Sequence, residues 1–247
     1  MNQYISAALA EMDKIVISKL EHTGSRALDP SSCCFLAAFI RATGARKVLE
    51  FGSGFSSLMI AREIGAFEGN YLLSIDDSRY YSDLARESFE NSGAQARVQF
   101  RVAPLRPKFY GSRLLLSYCL PKGLLEALGP FDLVLIDAPY NGCGREAVLY
   151  DAFPAVSPGG YIILDDANRE NMEKADVRSW RAAYGDAIRP VLLEGIGKGL
   201  NVIEKLEDAH PAPFPVADSL LASVKTLRSM GCLLLSPKEK KTDVNIQ

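Results

Sequence analysis

The apolar residues of this chain fall into two alternating rhythms. Short, nearly continuous runs occur at Lys47–Phe51, Tyr71–Ile75, Phe131–Ile136 (FDLVLI) and Gly160–Leu164 (GYIIL), and Arg97–Val102 alternates apolar with polar. Runs of this length predict strands, and those with little polar interruption predict strands buried on both faces. Between them, apolar positions recur at helical spacing and predict helices at about 55–64, 80–91, 145–156 and 170–184. Two helices are expected before the first strand. One covers 4–21, with Ile5, Ala8, Leu9, Met12, Ile15, Val16 and Leu20 on one face. The other covers Pro30–Thr43, with Asp29 as its N-cap, Pro30 in its first turn and Gly44 at its end. Strands alternating with helices make an α/β chain with a parallel sheet covered on both faces.

Two stretches depart from the alternation. Residues 103–130 are long for a connection and contain Pro104, Pro107, Pro121 and Pro130; an excursion at Tyr110–Leu120 and a short helix at Lys122–Leu128 are expected. Ile188–Leu193 and Leu200–Lys205 bracket the glycine-rich Glu194–Gly199, which reads as an antiparallel hairpin. After Lys205 the proline-rich AHPAPFPVAD reads as a linker, Ser219–Met230 as one more helix, and the polar stretch from Ser236 as disordered. The expected division is a helical extension at 1–28, a main domain at 29–205, and a linker, short helix and tail at 206–247.

Composition narrows the function classes. At 247 residues, 48% hydrophobic and 23% charged, the chain is long and apolar enough to build one sizeable core. A net charge of −2 and one dense basic run, Lys238–Lys241, argue against a nucleic-acid partner. No apolar run reaches the ~18 residues of a membrane span. The N-terminus lacks a basic segment followed by an apolar one, so neither a signal peptide nor a membrane partner is expected. Five cysteines without a C-x-x-C spacing suggest a reduced, cytoplasmic compartment. Two histidines, His22 and His210, rule out a three-histidine metal site and leave acid–base work to carboxylates.

Candidate chemistry begins at Val48-Leu-Glu-Phe-Gly-Ser-Gly-Phe-Ser-Ser57, between a strand and a helix. Gly52 and Gly54 allow a sharp turn and close approach to a ligand; Ser53 lies between them. Glu50 ends the strand, where a carboxylate could receive a cation or an amino group. Ser56 and Ser57 are expected to cap the following helix. The second run ends in Asp76-Asp77, with Asp76 placed 24 residues after Gly52. An acid at that distance accepts the ribose hydroxyls of a nucleoside cofactor, while Asp77 caps the next helix. Ser57 stands where a dinucleotide fingerprint has its third glycine, which disfavours a nicotinamide cofactor and a dehydrogenase.

The ordered set Glu50-Phe-Gly-Ser-Gly54, Asp76, Phe131–Asp137, Pro158–Asp165 and the hairpin with Gly197-Lys-Gly199 resembles the class I S-adenosylmethionine (SAM)-dependent methyltransferases over about residues 29–205. The resemblance implies a Rossmann-like, doubly wound, three-layer α/β/α fold. Its seven strands would run in the order 3-2-1-4-5-7-6, with strand seven antiparallel. It implies SAM as cofactor, with Glu50 at its methionine end, Gly52 and Gly54 beneath it, Asp76 on the ribose, and Ala103 and Pro104 near the adenine. The family often has an acid near that last position; this chain has none.

Asp137 ends the fourth strand and Asp165-Asp166 the fifth, at the edge where open parallel sheets bind ligands. One reading is metal-assisted O-methylation by oxygen ligands. Cation-dependent enzymes resembling catechol O-methyltransferase carry an Asp and an Asp-Asn pair in these places, and Asp137, Asp165 and Asp166 are the corresponding metal candidates. That family has a lysine three residues after the first Asp, where this chain has Tyr140. A second reading makes Asp137 or Asp166 the base or substrate anchor, with Tyr140 contacting substrate. Asp137-Ala-Pro-Tyr140 is also similar to the [Asp/Asn]-Pro-Pro-[Tyr/Phe] motif of N-methyltransferases, with Ala138 in place of the first proline. Arg145, at the end of a glycine-containing loop, is expected to meet an anionic substrate. The leading expectation is methyl transfer to an oxygen of a small molecule or sugar. An N-methyltransferase or a non-catalytic partner protein of the same fold is the alternative, and a homo-oligomer stays open.

Overall fold

A computed structural model describes residues 2–17, 27–65, 68–139 and 145–235. In chain order the strands are β1 (Lys47–Phe51), β2 (Tyr71–Asp76), β3 (Val98–Val102), β4 (Leu105–Tyr110), β5 (Arg113–Tyr118), β6 (Phe131–Ile136), β7 (Val156–Leu164), β8 (Ile188–Leu193) and β9 (Leu200–Lys205). The helices are α1 (Gln3–Glu11), α2 (Pro30–Thr43), α3 (Phe55–Ile64), α4 (Arg79–Asn91), α5 (Leu124–Leu128), α6 (Glu146–Ala152), α7 (Glu173–Tyr184) and α8 (Val216–Leu235).

Seven strands form one sheet in the order β3-β2-β1-β6-β7-β9-β8. With the separate β4–β5 hairpin left out, this is the expected order 3-2-1-4-5-7-6. β9 runs antiparallel to both β7 and β8, and the other pairings are parallel. The apolar runs alternate between two cores. In β1, Val48 faces the layer of α1, α2 and α3, while Leu49 and Phe51 face the layer of α5, α6 and α7. The carboxylate of Asp132 joins β6 to the start of β1 by accepting the N–H groups of Arg46 and Lys47, both at 2.9 Å. The parallel strands therefore end together, and their carboxyl ends carry the glycine turn, Asp76, Asp137 and Asp165.

The first helix is shorter than its apolar spacing suggests. α1 stops at Glu11 and a tight turn follows at Met12–Lys14. Beyond it the chain is extended at Ile15, and Ile15 and Ile17 pack against the core on either side of Val16, which is 92% exposed, so apolar spacing read as helical is met by extended chain. Residues 18–26, with His22, lie outside the described residues. By contrast, α2 begins and ends as expected: Asp29 accepts the Ser31 N–H at 2.9 Å, and Gly44 closes the helix at φ 66°.

The excursion within 103–130 is the β4–β5 hairpin, which lies over α6 and α8. Its anchor is Asp151 of α6, which takes the Tyr110 and Ser117 hydroxyls, each at 2.6 Å, and the Lys108 ammonium. The proline-rich segment after β9 packs against the domain. Ala212 donates to the Ala183 carbonyl at 2.7 Å, and Phe214 lies under the Arg113 guanidinium. α8 is longer than expected at both ends; its Ser219 and Ser223 hydroxyls meet Ser112 and the Leu114 N–H.

Candidate functional site

The carboxyl edge of the sheet opens into a cavity of about 560 Å³, within the size range of small-molecule sites. Five segments of sequence meet there: the approach to and start of α2 (Ala27 to Pro30), the glycine turn (Gly52 to Ser56), the end of β2 with the start of α4 (Asp76, Asp77, Ser78, Tyr81), the end of β6 (Asp137, Ala138) and the end of β7 (Asp165, Asp166). Arg145 and Lys198 also line it.

The glycine turn is fixed from beneath by Glu50, which is fully buried. One oxygen accepts the Ser56 hydroxyl at 2.6 Å; the other accepts the Ser74 hydroxyl at 2.6 Å and that of Ser57. Ser57 in turn accepts the Gly54 N–H at 3.1 Å. One carboxylate thus links β1, β2 and α3 at the point where the chain turns. Burial raises its pKa from 4.5 to about 7 against the pull of the three hydroxyls. Glu50 is not among the cavity-lining residues. Ser57 caps α3, while both Ser56 and Ser57 also serve Glu50. Gly52 sits at φ 110°, and a Cβ there would meet the Ala138 Cβ at 3.0 Å, so only glycine lets the turn pass the end of β6.

Asp76 is 6% exposed and half committed to the backbone. One oxygen accepts the Ser53 N–H at 2.8 Å and the other the Ser78 N–H at 2.7 Å. The carboxylate lines the cavity. Burial raises its pKa to about 6, opposed by those N–H bonds. The expected cap of α4, Asp77, is corrected: Ser78 is the N-cap, and Asp77 is an exposed lining residue. Ala103 is buried beside Asp76, its N–H on the Asp76 carbonyl at 2.8 Å, while Pro104 is exposed; neither lines the cavity.

Nearby, the Tyr118 hydroxyl is a buried group without a hydrogen-bond partner among the described residues. Its ring packs on Phe51 at 5.2 Å, and the charges of Asp77, Asp76 and Asp137 reach it. In the sequence Tyr118 stands out only in Tyr118-x-x-x-Lys122, a chance likeness to a short-chain dehydrogenase pair interrupted by Pro121; in the structure it ends a hairpin strand outside the main sheet.

Asp137, Asp165 and Asp166 offer carboxylate oxygens within 4.8 Å of one another. Burial holds the Asp137 carboxyl well above its ordinary range, with Arg145 opposing and Asp165 and Asp166 reinforcing. Burial and the adjacent Asp166 raise Asp165 to about 6. Asp166 adopts φ 57°, a left-handed backbone that aspartate tolerates better than most residues.

The loop expectation for Arg145 is corrected. Arg145 is 2% exposed and its guanidinium lies inside the carboxylate cluster, 3.3 Å from Asp137 and 3.2 Å from Asp166. It also donates to the Asp165 carbonyl at 2.9 Å. Arg169 reaches Asp166 at 3.1 Å, and Lys198 stands 3.8 Å from it. Lys198 arrives on the β8–β9 turn; its neighbour Gly199 has φ 91°, and a Cβ there would sit 2.5 Å from Asn168. Tyr140 and Cys143 lie outside the described residues.

Residues 49–167 match the family model described as a methyltransferase domain. The chain is 29% identical over 167 residues to a catechol O-methyltransferase of Mycobacterium tuberculosis, covering 67% of this chain and 65% of that one, just under two thirds of the relative. It is 24% identical over 180 residues to a catechol O-methyltransferase of Niastella koreensis, covering 69% and 73%. Among solved structures, an O-methyltransferase from Bacillus cereus in complex with SAH superposes with a TM-score of 0.56 at 19% identity, covering 83% of this chain and 91% of that one. TomG from Streptomyces achromogenes, an O-methyltransferase of tomaymycin synthesis in complex with SAM, gives 0.57 at 18% identity, covering 84% and 91%.

Proposed function

We propose that this chain, whose fold is that of the class I SAM-dependent methyltransferases, transfers the methyl group of SAM to a hydroxyl oxygen of a small molecule. The observation that carries the reading is the cavity itself. It joins a glycine turn, a buried acid after the second strand and a carboxylate cluster after the fourth and fifth, in one space of about 560 Å³. The residues fit the cofactor. Gly54 leaves open space where a Cβ would stand, the Tyr118 hydroxyl is buried with no hydrogen-bond partner among the described residues, and Asp76 lines the cavity with its carboxylate fixed by the Ser53 and Ser78 N–H groups.

When bound, SAM supplies an electrophilic methyl on a sulfonium. The protein's part is then alignment and proton removal. Asp76 would hold the ribose, with Ser53 and Ser78 fixing its carboxylate. The Gly52–Gly54 backbone would lie under the cofactor, held in shape by Glu50. Asp137 and Asp165 both line the cavity, and Asp165 is the group placed to take the acceptor's hydroxyl proton. A carboxyl raised to about 6, as at Asp165, is still ionised at neutral pH and is a stronger base than an ordinary aspartate.

The two relatives above are catechol O-methyltransferases, so catechols are the first acceptors to try. The test incubates the protein with SAM and a panel of catechols and other small hydroxyl compounds, and detects methylated product by mass spectrometry. Product on oxygen is expected, and it should fall at least tenfold in Asp165→Asn, the loss expected on removing a proton acceptor. Product only on amino acceptors would replace this reading with the N-methyl one.

A further inference from the structure

Three carboxylates converging on a cavity invite a divalent cation, but these donors do not fit one. We propose that Arg145 is the resident cation of the cluster. Its guanidinium holds Asp137 and Asp166 in the positions that a metal ion would otherwise impose, and the native protein binds no Mg2+ or Mn2+ there.

The space between these carboxylates is already taken. A Mg2+ or Ca2+ ion needs oxygen ligands at about 2.0–2.6 Å on several sides. Here Arg145 Nη2 already bridges Asp137 and Asp166 at 3.3 and 3.2 Å, so an ion drawing both carboxylates in would meet the guanidinium. The guanidinium cannot simply swing away. It is 2% exposed, and Nη1 donates to the carbonyls of Asp165 and Ile136, at 2.9 and 3.4 Å. The residue is also fixed by its own N–H, donated to Asp176 at 2.6 Å. Displacing it would strand a buried charge, which is strongly unfavourable. The arginines are held from their other side as well: the fully buried Glu173 lies 3.8 Å from Arg145 Nε and pairs with Arg169, so moving Arg145 would strip a second buried carboxylate of its partner. Arg145 is therefore a positioning residue, acting through Asp137 and Asp166.

Mn2+ titration of the whole protein, read by electron paramagnetic resonance, tests this without any assay of methyl transfer. The wild type is expected to show no saturable site tighter than about 1 mM. Arg145→Met, which keeps the length and loses the charge, is expected to gain one Mn2+ site per chain, at least tenfold tighter than any wild-type binding. Arg145→Lys is expected to gain none. Saturable wild-type binding that disappears in Asp165→Asn would overturn the proposal, as would a folded Arg145→Met protein with no gained site. If Arg145→Met fails to fold, the wild-type titration and Asp165→Asn decide alone. The proposal rests on the proposed function only for its bearing on catalysis. Titrating the same samples with S-adenosylhomocysteine (SAH), the demethylated product of SAM, separates the two: SAH binding with a Mn2+ site overturns this inference alone, and no SAH binding overturns the methyl-transfer reading alone.

Discussion

At Glu50 a carboxylate is buried under three serine hydroxyls, an arrangement with a measurable consequence. Its folded pKa of about 7 lies above the ordinary 4.5, so the folded chain holds the proton more tightly than the unfolded one. The associated stability is present below about pH 4.5 and is lost as pH rises through 7; Asp76, raised to about 6, acts in the same direction. The cofactor-free protein should accordingly melt at a lower temperature at pH 8 than at pH 5.5, and Glu50→Gln should flatten that dependence. A melting temperature that climbs over this interval in the wild type would contradict the assignment. Glu50→Ala should cost about 3 kcal/mol in urea unfolding, because three buried hydroxyls lose their acceptor at once. The sequence places Glu50 at the strand end but not which way it faces. In β1 it alternates with Leu49 and Phe51, and the serines that claim it come from two separate elements, Ser56 and Ser57 from α3 and Ser74 from β2. Arg145 is hidden for the same reason: its loop composition suggests solvent, whereas its partners come from β6, β7 and α7.

At the scale of elements, most of the architecture is legible from the chain. The β6 run FDLVLI and the α2 boundaries Asp29, Pro30 and Gly44 are local signals that tertiary packing did not override. Illegible were the elements whose rhythm is broken or unsupported. Pro107 lies inside β4, where it costs no bond to a third strand because β4 pairs with β5 alone. The apolar spacing after Met12 predicts helix, whereas Ile15 and Ile17 reach the core from extended chain. The β8–β9 turn deserves its own experiment. Asn168 donates to the Glu194 carbonyl at 3.1 Å, and Gly199 at φ 91° leaves no room for a side chain beside it. Gly199→Ala should destabilise the protein by about 2 kcal/mol or more through backbone strain and the clash. It should also weaken SAH binding, since it moves the turn that carries Lys198. Unchanged unfolding in urea would show that the turn absorbs the added methyl group.

Taken whole, the molecule is a seven-stranded sheet with one working edge. Helices from both faces and the β8–β9 turn deliver acids and their cations to that edge, while the β4–β5 hairpin and α8 form a layer on α6 whose described residues stay out of the cavity lining. The scarcity of histidine, visible in the sequence, is consistent with a site in which every described titrating group is a carboxylate, a tyrosine, a lysine or an arginine. The central claim is that the cavity takes SAM through Asp76. Isothermal titration calorimetry with SAH tests it most directly. One SAH per chain is predicted, with affinity reduced at least tenfold in Asp76→Ala and no binding of NAD; a wild-type protein that ignores SAH and SAM but binds NAD would contradict the account.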